Sequence, residues 1–358
     1  MSDRAADYDY EVPPGAVAQV PAARREDARL LLVPRGAERA ETGPGPLRDA
    51  GVRDLPALLR PGDLLVLNDT RVRPAKLLAR RATGGRVSVL VLDVAPSGRA
   101  ALVLLGARGT LLPGERIALA GDTWCLSAAL GEGRYRIEVD EGRDVPALLS
   151  DIARMPLPPY IERGEESDAR DALDRERYQT TFARAGAGDA AAAPTAGLHL
   201  TPALLEAATA RGVEIARLSL AVGEGTFRPL RGETLDEHVM HTERYEVPAA
   251  VAARFAAARA QGRRVVAVGT TVVRALESAV VADGRTLREG PGETSLFIRP
   301  GHRFAAVDAL LTNFHQPRST LLVLVSTFAG LATVRAAYAH AIASGYRLFS
   351  YGDAMLLE

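Results

Sequence analysis

The sequence predicts an α/β protein in which a discontinuous α/β domain, with a largely parallel sheet, carries an inserted small antiparallel β-barrel. Three features indicate this fold class. Helical and strand-like segments alternate after residue 200, residues 75–145 contain short Val/Leu-rich stretches separated by glycine turns, and the proline-rich "MPLPPYI" (155–161) is typical of a connection between domains. The α/β domain is therefore predicted over 1–74 and 156–358, and the barrel over 75–155.

The elements of the α/β domain follow from apolar runs and end signals. A turn at Pro61 precedes a buried strand over Leu64–Leu67, and the polar "NDTR" follows it. Thr201 is placed to cap a helix, with Pro202 at its first position and Gly212 beyond its end. Further strands and helices are then predicted in the segments "VEIARLSLAV", 249–261, "RRVVAVGTT", "VVRALESAV", "AVDALLTNFH", "STLLVLVSTFAG" with Ser319 or Thr320 as cap, 332–343 and "YRLFSYGDAML". Function is expected in the loops at the carboxyl ends of the parallel strands.

The barrel prediction rests on short strands with regular turns between them. The candidate strands are "GRVSVLVLDV", "RAALVLLGA", "ERIALAG" and "GRYRIEV". Several short strands with turn signals at regular spacing are typical of an antiparallel barrel or sandwich.

Composition narrows the class of protein. With 358 residues, 47% of them hydrophobic, the chain can bury a sizeable core. No apolar run reaches the roughly 20 residues that cross a bilayer, and no apolar leader opens the chain, so a cytoplasmic protein is expected. The single cysteine, Cys125, excludes an intramolecular disulfide and a thiolate metal cluster. Lys and Arg number 44, as do Asp and Glu, so net charge does not indicate a nucleic-acid binder, although a local basic face is compatible with a neutral chain.

The segment "DEHVMHTERYEVP" (236–248) contains the densest group of titratable residues, His238, His241 and Glu243. On a helix the two histidines lie close together and Glu243 falls elsewhere, whereas on a strand His241 and Glu243 share a face. Neither element presents all three together, which disfavours a metal triad. "ERYEVP" favours a strand ended by Pro248, and a carboxylate beside an imidazole suits proton transfer. A structural hydrogen-bonded cluster, a catalytic pair and a metal site all stay open from this pattern alone.

Five other loops carry polar or glycine residues at strand ends. "APTAGLHLT" (193–201) and "VGTTVVR" (268–274) each lead into a helix, whose first amides can hold a polar ligand. "AVGEGTF" (221–227) allows close backbone approach but lacks the third glycine of a dinucleotide fingerprint. "TNFHQPRST" (312–320) collects Asn313, His315, Arg318 and Ser319, and "SYGDAM" (350–355) offers Tyr351 and Asp353. The alternative for each is an ordinary turn or polar cap. No P-loop, HExxH motif or Ser-His-Asp order occurs.

Taken together, these segments resemble one known family. The ordered motifs "YDYEVP", "PGDLLVLNDTRVRPAKL", "PLPPYIER", "ERYQTTFA", "AAPTAGLHLT", "VGEGTFRPL", "EHVMHTERYEV", "RVVAVGTTVVRALE", "GETSLFI", "LLTNFHQPRSTLLVLVSTFAG" and "YRLFSYGDAML" are similar to those of the S-adenosylmethionine:tRNA ribosyltransferase-isomerase family of queuosine biosynthesis, over nearly the whole chain. The resemblance implies a discontinuous α/β domain with an inserted barrel.

The resemblance also implies a reaction. Members transfer the ribosyl part of S-adenosylmethionine to the aminomethyl group of 7-aminomethyl-7-deazaguanine in tRNA and isomerise it, which gives epoxyqueuosine and releases adenine and methionine. S-adenosylmethionine is then the ribosyl donor, no metal is needed, tRNA with a modified wobble base is the partner, and a monomer is expected. Two alternatives are a relative that acts on a small-molecule acceptor, such as a free deazapurine, and an idle cofactor- or RNA-binding protein.

Site residues follow from the matching motifs. The resemblance implies His241 as base, oriented by Glu243 and accompanied by His238, with His315 or Asp353 assisting the departure of adenine. Around the cofactor it implies Thr195, Gly197, His199, Gly223, Gly225, Thr226, Gly269, Thr270, Thr271, Arg274 and Asn313, and at the acceptor substrate Asn68, Arg71 and Arg318. The chain departs from the family at Ala221, where a histidine is usual, at Leu200 and Gln316, and in the barrel, where "AALVLLGARG" carries fewer cations.

Overall fold

The computed structural model describes residues 3–35, 46–164, 167–185, 189–190, 192–223, 230 and 232–358. The chain forms two compact units. The first comprises Met1–Arg71, Pro158–Ile161 and Gln179–Glu358, and the second comprises Val72–Leu157 and Glu162–Tyr178. The sequence predicts the barrel domain over 75–155, and the second unit includes this range together with the segment after Ile161.

The first unit is built on a nine-stranded mixed sheet. Along the chain, the strands outside the barrel are β1 (Arg29–Val33), β2 (Arg48–Gly51), β3 (Leu64–Asn68), β4 (Arg71–Val72), β11 (Asp189–Ala190), β12 (Glu214–Leu220), β13 (Glu243–Val247), β14 (Val265–Val268), β15 (Gly290–Thr294), β16 (Ala309–Asn313) and β17 (Ala354–Leu357). The sheet order is β15-β13-β12-β3-β14-β16-β17-β1-β2. The central strands β12, β3, β14 and β16 are parallel, and antiparallel pairs flank them. The α/β class is thus confirmed.

Strand side chains explain why the sheet is buried on both faces. Along β3, Leu64 and Val66 join one apolar cluster, whereas Leu65 and Leu67 join another. β14 divides in the same way between the two clusters. Because successive side chains of a strand point to opposite faces, a continuous apolar run fills two cores at once. Helices cover both faces in consequence.

The five described helices after residue 200 begin and end close to the predicted signals, whereas none of the three described helices before it is predicted from the sequence. They are α1 (Leu55–Leu58), α2 (Val145–Ile152), α3 (Asp171–Arg177), α4 (Pro202–Ala210), α5 (Ala249–Ala260), α6 (Thr270–Ala279), α7 (Thr320–Ala329) and α8 (Leu331–Ala343). The Thr201 hydroxyl accepts a hydrogen bond from the Leu204 amide at 3.2 Å, and Ser319 accepts one from Leu322 at the same distance. Both predicted N-caps are confirmed. No single helix in the described part of the chain has the length and apolarity to span a membrane, and α7 with α8 passes such a test only as a pair bent by 112°.

The second unit contains the predicted closed barrel. Its six strands are β5 (Lys76–Arg81), β6 (Arg86–Val94), β7 (Ala100–Ala107), β8 (Arg116–Leu119), β9 (Asp122–Gly131) and β10 (Arg134–Glu141), in the order β10-β7-β6-β5-β8-β9. Alternate side chains fill the interior around Trp124, which is buried. Because the barrel is closed, each strand is hydrogen-bonded to a neighbour on both of its edges. The outward-facing side chains do not fill the interior of the barrel.

Candidate active site

A cavity lies at the carboxyl edge of the central parallel strands of the first unit. Its volume is about 60 Å³. Its lining residues come from the ends of β14 and β16, from the loops beside them and from the segment around Tyr160: Tyr160, Ala192, Ala193, Pro194, Thr195, Ala196, Val222, Gly269, Thr270, Thr271, Thr312, Asn313, Phe314, His315, Gln316, Ser319, Leu321, Phe349 and Ser350. Since whole small-molecule ligands bind in cavities of about 300–1,000 Å³, this cavity has room for no more than one end of such a ligand.

Two helices begin at the cavity. Thr270 and Thr271 open α6, and Ser319 caps α7. Gly269 precedes α6 with φ of 91°, a backbone conformation that L side chains rarely adopt. The first amides of each helix have no intrahelical partner and carry partial positive charge. The cavity therefore favours oxygen-bearing or anionic groups of a ligand.

Asn313 is the polar centre of the cavity. Its side chain is buried, and its Nδ2 donates to the Phe349 carbonyl at 3.1 Å and to His199 Nε2 at 3.2 Å. A rotated amide would direct its oxygen at the Phe349 carbonyl, so these partners set its orientation. The Asn313 Oδ1 has no partner among the described residues. A buried acceptor of this kind requires a donor from a ligand or water.

His199 is held neutral next to Asn313. Burial, followed by the cations of Arg347 and Arg25, lowers the pKa of His199 to about 4. Because Nε2 accepts from Asn313, the ring proton lies on Nδ1. At neutral pH this imidazole is thus a hydrogen-bonding group and not a cation.

His315 is also neutral and is firmly oriented. Its Nε2 lies 2.9 Å from Thr312 Oγ1, and its backbone amide donates to the Tyr338 hydroxyl at 2.7 Å. The Tyr10 hydroxyl donates to the His315 carbonyl at 2.6 Å. Burial lowers the pKa of His315 to about 3. Its ring can donate or accept a hydrogen bond, but it does not carry a spare proton at neutral pH.

Glu243, the first residue of β13, forms a buried ion pair with Arg274. Glu243 binds Arg274 Nη1 through Oε2, and its Oε1 accepts from the Gly223 amide at 3.0 Å. Arg274 Nε donates to the Leu296 carbonyl at 3.2 Å, while its Nη2 is buried with no partner among the described residues. The strand prediction for "ERYEV" is confirmed, but β13 starts at Glu243, so His241 precedes it in a half-buried segment.

Asn68, the last residue of β3, is hydrogen-bonded both to Leu220 at the end of β12 and to Thr271 in the first turn of α6. Asn68 Nδ2 donates to the Leu220 carbonyl at 3.0 Å and reaches Thr271 Oγ1 at 3.3 Å, and its Oδ1 accepts from the Thr70 and Leu220 amides. These bonds use both polar atoms of the Asn68 side chain. Asn68 consequently positions Thr271 at the cavity and does not line it.

The remaining predicted residues have varied surroundings. Thr195 lines the cavity, and Gly197 packs so closely on Phe182 that a Cβ there would meet the ring at 2.8 Å. The Asp353 carboxylate accepts from the backbone amides of Arg29 and Arg347, at 2.9 and 2.8 Å.

Eleven predicted residues are not among those that line the cavity, and two others cannot be compared with it. The eleven are Asn68, Arg71, Gly197, His199, Gly223, His238, His241, Glu243, Arg274, Arg318 and Asp353. His238 is half-buried with its ring edge on Phe297, at a centroid distance of 5.5 Å. The side chains of Arg71 and Arg318 are exposed, and Arg318 has φ of 51°. Gly225 and Thr226 are outside the described residues.

The structure adds Tyr160 to the cavity. Its hydroxyl lies 2.7 Å from Ser350 Oγ, and its ring rests against Phe349 at 4.9 Å. Burial raises the pKa of Tyr160 to about 12. The proline-rich "PLPPYI" indicated a connection, and only the fold brings its tyrosine beside a serine 190 residues away. No cluster of three or more potential metal ligands is found among the residues that the structure describes.

Known proteins with similar sequence and structure agree on one family. The family model "Queuosine biosynthesis protein" matches residues 5–357. An S-adenosylmethionine:tRNA ribosyltransferase-isomerase of Anaeromyxobacter dehalogenans (strain 2CP-C) is 51% identical over 99% of both chains. One of Acidithiobacillus ferrooxidans is 50% identical over 98% of this chain and 97% of its own. The crystal structure of S-adenosylmethionine tRNA ribosyltransferase from Thermotoga maritima matches 98% of this chain and 100% of its own, with 31% identity and a TM-score of 0.54.

These matches extend over nearly the whole chain, through both the α/β unit and the barrel. The resemblance drawn from the ordered sequence motifs is therefore confirmed. The chain belongs to the queuosine biosynthesis protein family.

Proposed function

We propose that this protein is an S-adenosylmethionine:tRNA ribosyltransferase-isomerase. It transfers and isomerises the ribosyl group of S-adenosylmethionine onto 7-aminomethyl-7-deazaguanine in tRNA, and it releases adenine and methionine. The observation that carries the proposal is the full-length similarity, at 50–51% identity, to relatives of that name. These matches favour the tRNA acceptor over the small-molecule alternative.

The cavity suits one end of S-adenosylmethionine. The unpartnered Oδ1 of Asn313 can accept an N–H, such as the adenine amino group or the methionine ammonium. The amides that open α6 and α7, with the Thr270 hydroxyl, suit ribose hydroxyls or a carboxylate. Thr195, Gly197, His199, Gly269 and Thr271 support these groups from the surrounding loops. No cation is required for this set of contacts.

Proton transfer is assigned to the segment at the start of β13, whose residues are not among those that line this cavity. A sulfonium makes the neighbouring carbon acidic and converts methionine into a leaving group. We assign His241 as the base that removes this proton, with His238 and Glu243 beside it. The Glu243 carboxylate is fixed by Arg274 and the Gly223 amide, so it provides a stationary negative charge.

The departure of adenine is assigned to hydrogen bonding. His315 is neutral, and so it assists by donating an N–H to the purine and not by transferring the proton of an imidazolium. Asp353, whose carboxylate accepts two backbone amides, supports the turn that carries Phe349. Arg71 and Arg318 remain proposed contacts for the acceptor substrate, whereas Asn68, whose side-chain polar atoms are both bonded within the protein, is proposed to act by positioning Thr271.

The decisive experiment supplies tRNA that already carries the aminomethyl-deazaguanine. The protein is incubated with this tRNA and S-adenosylmethionine, the nucleosides are analysed by mass spectrometry, and released adenine is quantified. We expect epoxyqueuosine together with stoichiometric adenine and methionine. Parallel reactions contain the free base or unmodified tRNA. Turnover with the free base alone would favour the small-molecule acceptor, and no adenine release with any acceptor would favour an idle binding protein.

The residue assignments are tested by single-turnover kinetics. We expect His241→Ala and His315→Ala each to slow adenine release by about 10²–10⁴-fold, as is typical when a proton-transfer or hydrogen-bonding group is lost. His340→Ala, at a half-buried histidine of α8 that pairs with Asp49 at 3.1 Å and does not line the cavity, is the matched control and should retain the wild-type rate. Full turnover by both site variants would show that neither histidine has the assigned role.

A further inference from the structure

A wide groove lies on the outer face of the barrel. Its volume is about 1,120 Å³, and it is formed by the outward-facing residues of β5 and β6, the end of β7 and the segment after α2. Side chains of β5 alternate, so that Lys76 and Arg80 face outward while Leu77 and Ala79 are buried. The groove is therefore a consequence of strand periodicity combined with barrel curvature.

Basic side chains dominate the walls of the groove. The charged residues that line it are Lys76, Arg80, Arg86, Arg108, Arg154 and Arg163, and none of the described lining residues is acidic. The complete chain has 44 basic and 44 acidic residues. This concentration is consequently local and does not follow from a basic composition.

Strand register places like charges directly opposite each other in the groove. Arg80 pairs with Arg86 across β5 and β6, and Lys76 pairs with Arg154 in an isolated antiparallel bridge. Like charges at directly opposed positions destabilise a sheet. Desolvation, and then the Arg154 cation, lower the pKa of Lys76. Register therefore brings these cations side by side along the groove.

Nearby carboxylates hold part of the groove rigid. Arg154 pairs with Asp171 at 2.6 Å, and Arg163 pairs with Asp174 at 2.6 Å in a buried contact. These two arginines are thus preorganised, since their side chains are already ordered by partners. Arg80, Arg86 and Arg108 also line the groove, and they are exposed.

The floor of the groove is made of small residues. Ser88 on β6 is directly opposite Gly106 on β7, and Gly85 lies at the turn before β6. A Cβ added at Gly106 would meet only the Ser88 Cβ, at 3.8 Å. The floor therefore leaves room for a broad ligand between the basic walls. Such a shape fits a polyanionic backbone better than a compact metabolite.

We propose that this groove binds the sugar–phosphate backbone of the tRNA substrate. Phosphate contacts by Lys and Arg supply much of the affinity of nucleic-acid complexes and position the nucleic acid without reading its sequence. The inference rests on the proposed function for the identity of the RNA. It adds a binding surface that is formed entirely by residues of the second unit.

The test compares two double variants of the complete protein. Arg80→Gln/Arg86→Gln alters the groove, and Arg116→Gln/Arg136→Gln removes the same number of arginines from exposed positions of β8 and β10 outside it. Binding of unmodified tRNA is measured by fluorescence anisotropy over a range of salt concentrations. We expect the groove variant to bind about tenfold or more weakly near 0.1 M salt, and its salt slope to fall by about 1.4–1.8 because each of the two lost phosphate contacts contributes about 0.7–0.9. The control should remain within about twofold of wild type.

A second pair, Lys76→Gln/Arg108→Gln, repeats the test at two other basic residues of the groove and serves if the first variant does not fold as judged by circular dichroism. Equal tRNA affinity and salt slope in the folded groove variants and the control would overturn the proposal. If the groove variants bound tRNA as wild type does but no longer bound an acidic protein, the proposal would be overturned in favour of a protein partner. If wild type binds tRNA through the groove but releases no adenine, the proposed function fails and the groove assignment stands.

Discussion

The cavity at the edge of the sheet and the groove on the barrel hold their polar groups in opposite ways. In the cavity, Asn313, His199 and His315 are buried, neutral and hydrogen-bonded to fixed partners. In the groove, arginines and a lysine stand in like-charged pairs on an exposed surface. One region offers directional hydrogen bonds in low dielectric, and the other offers charge.

This contrast separates two tasks that a tRNA-modifying enzyme has to perform. Chemistry on a small reactive group requires preorganised polar atoms at a fixed place, where removal of one atom has a large effect. Retention of a long polyanion requires many weak, screened contacts, where each contributes little. Substitutions that affect stability strongly should therefore cluster at the edge of the sheet.

The largest effect is expected from breaking the buried Glu243–Arg274 pair. Glu243→Ala leaves the Arg274 guanidinium buried without its carboxylate, and loss of one partner of such a pair costs about 3–5 kcal/mol in the free energy of unfolding. Urea denaturation monitored by circular dichroism measures this difference.

The matched control is on the same strand. Arg244 faces solvent with its side chain 86% exposed and pairs with Glu293 at 3.5 Å. Since exposed pairs contribute about 0–1 kcal/mol, Arg244→Ala should have a small effect. Similar losses of stability from Glu243→Ala and Arg244→Ala would show that burial does not determine how much an ion pair contributes to the free energy of unfolding. The contrast between buried and exposed polar groups would then not hold.

Local patterns in the sequence predict the fold well, but they do not predict partners that are distant along the chain. Thr201 and Ser319 are recognisable caps, and the barrel strands are recognisable from alternation and glycine turns, because both depend on residues a few positions apart. The partner of Glu243 is different. A carboxylate beside His241 suggests an acid–base pair, but Arg274, 31 positions away, binds it after β13 packs beside α6.

The groove also could not be predicted from composition. A neutral chain gives no indication of a basic surface, and the barrel motifs contain fewer cations than the family resemblance implies. Strand register then brings Arg80 opposite Arg86, and a bridge brings Lys76 opposite Arg154. Register depends on pairing over the whole barrel, so charge density on its surface becomes visible only in three dimensions.

The next effect concerns pH and distinguishes buried histidines from surface charges. The folded-state pKa values of His199 and His315, about 4 and about 3, lie below the unfolded value of about 6.5. The unfolded chain then binds more protons than the folded chain in the acid range, so the free energy of unfolding falls as pH decreases from 7. Each histidine should account for about 2 kcal/mol of the loss between pH 7 and 5.

Denaturation curves of wild type and His199→Gln at pH 7 and pH 5 measure this contribution. Glutamine keeps a hydrogen-bonding side chain but does not titrate, so the variant should lose about 2 kcal/mol less than wild type on acidification. An identical pH dependence in the two proteins would mean that His199 is protonated as readily in the folded state as in the unfolded state. The conclusion that this buried imidazole is held neutral would then be wrong.

The smallest of the three effects tests the unpartnered acceptor directly. Asn313→Ala removes the Oδ1 that is free to receive a ligand N–H, and it also removes the donor to His199. We expect the Kd for S-adenosylmethionine, measured by calorimetry, to rise by about 10–100-fold, or about 1.4–2.8 kcal/mol. Ser326→Ala is the control, because Ser326 Oγ on α7 is likewise buried and without a partner among the described residues but does not line the cavity. An equal Kd in both variants would show that the acceptor faces no ligand. A selective effect of Asn313→Ala would instead identify the Asn313 side chain as a point where the sheet edge recognises its substrate, since both variants remove a buried unpartnered polar atom but only Asn313 lines the cavity.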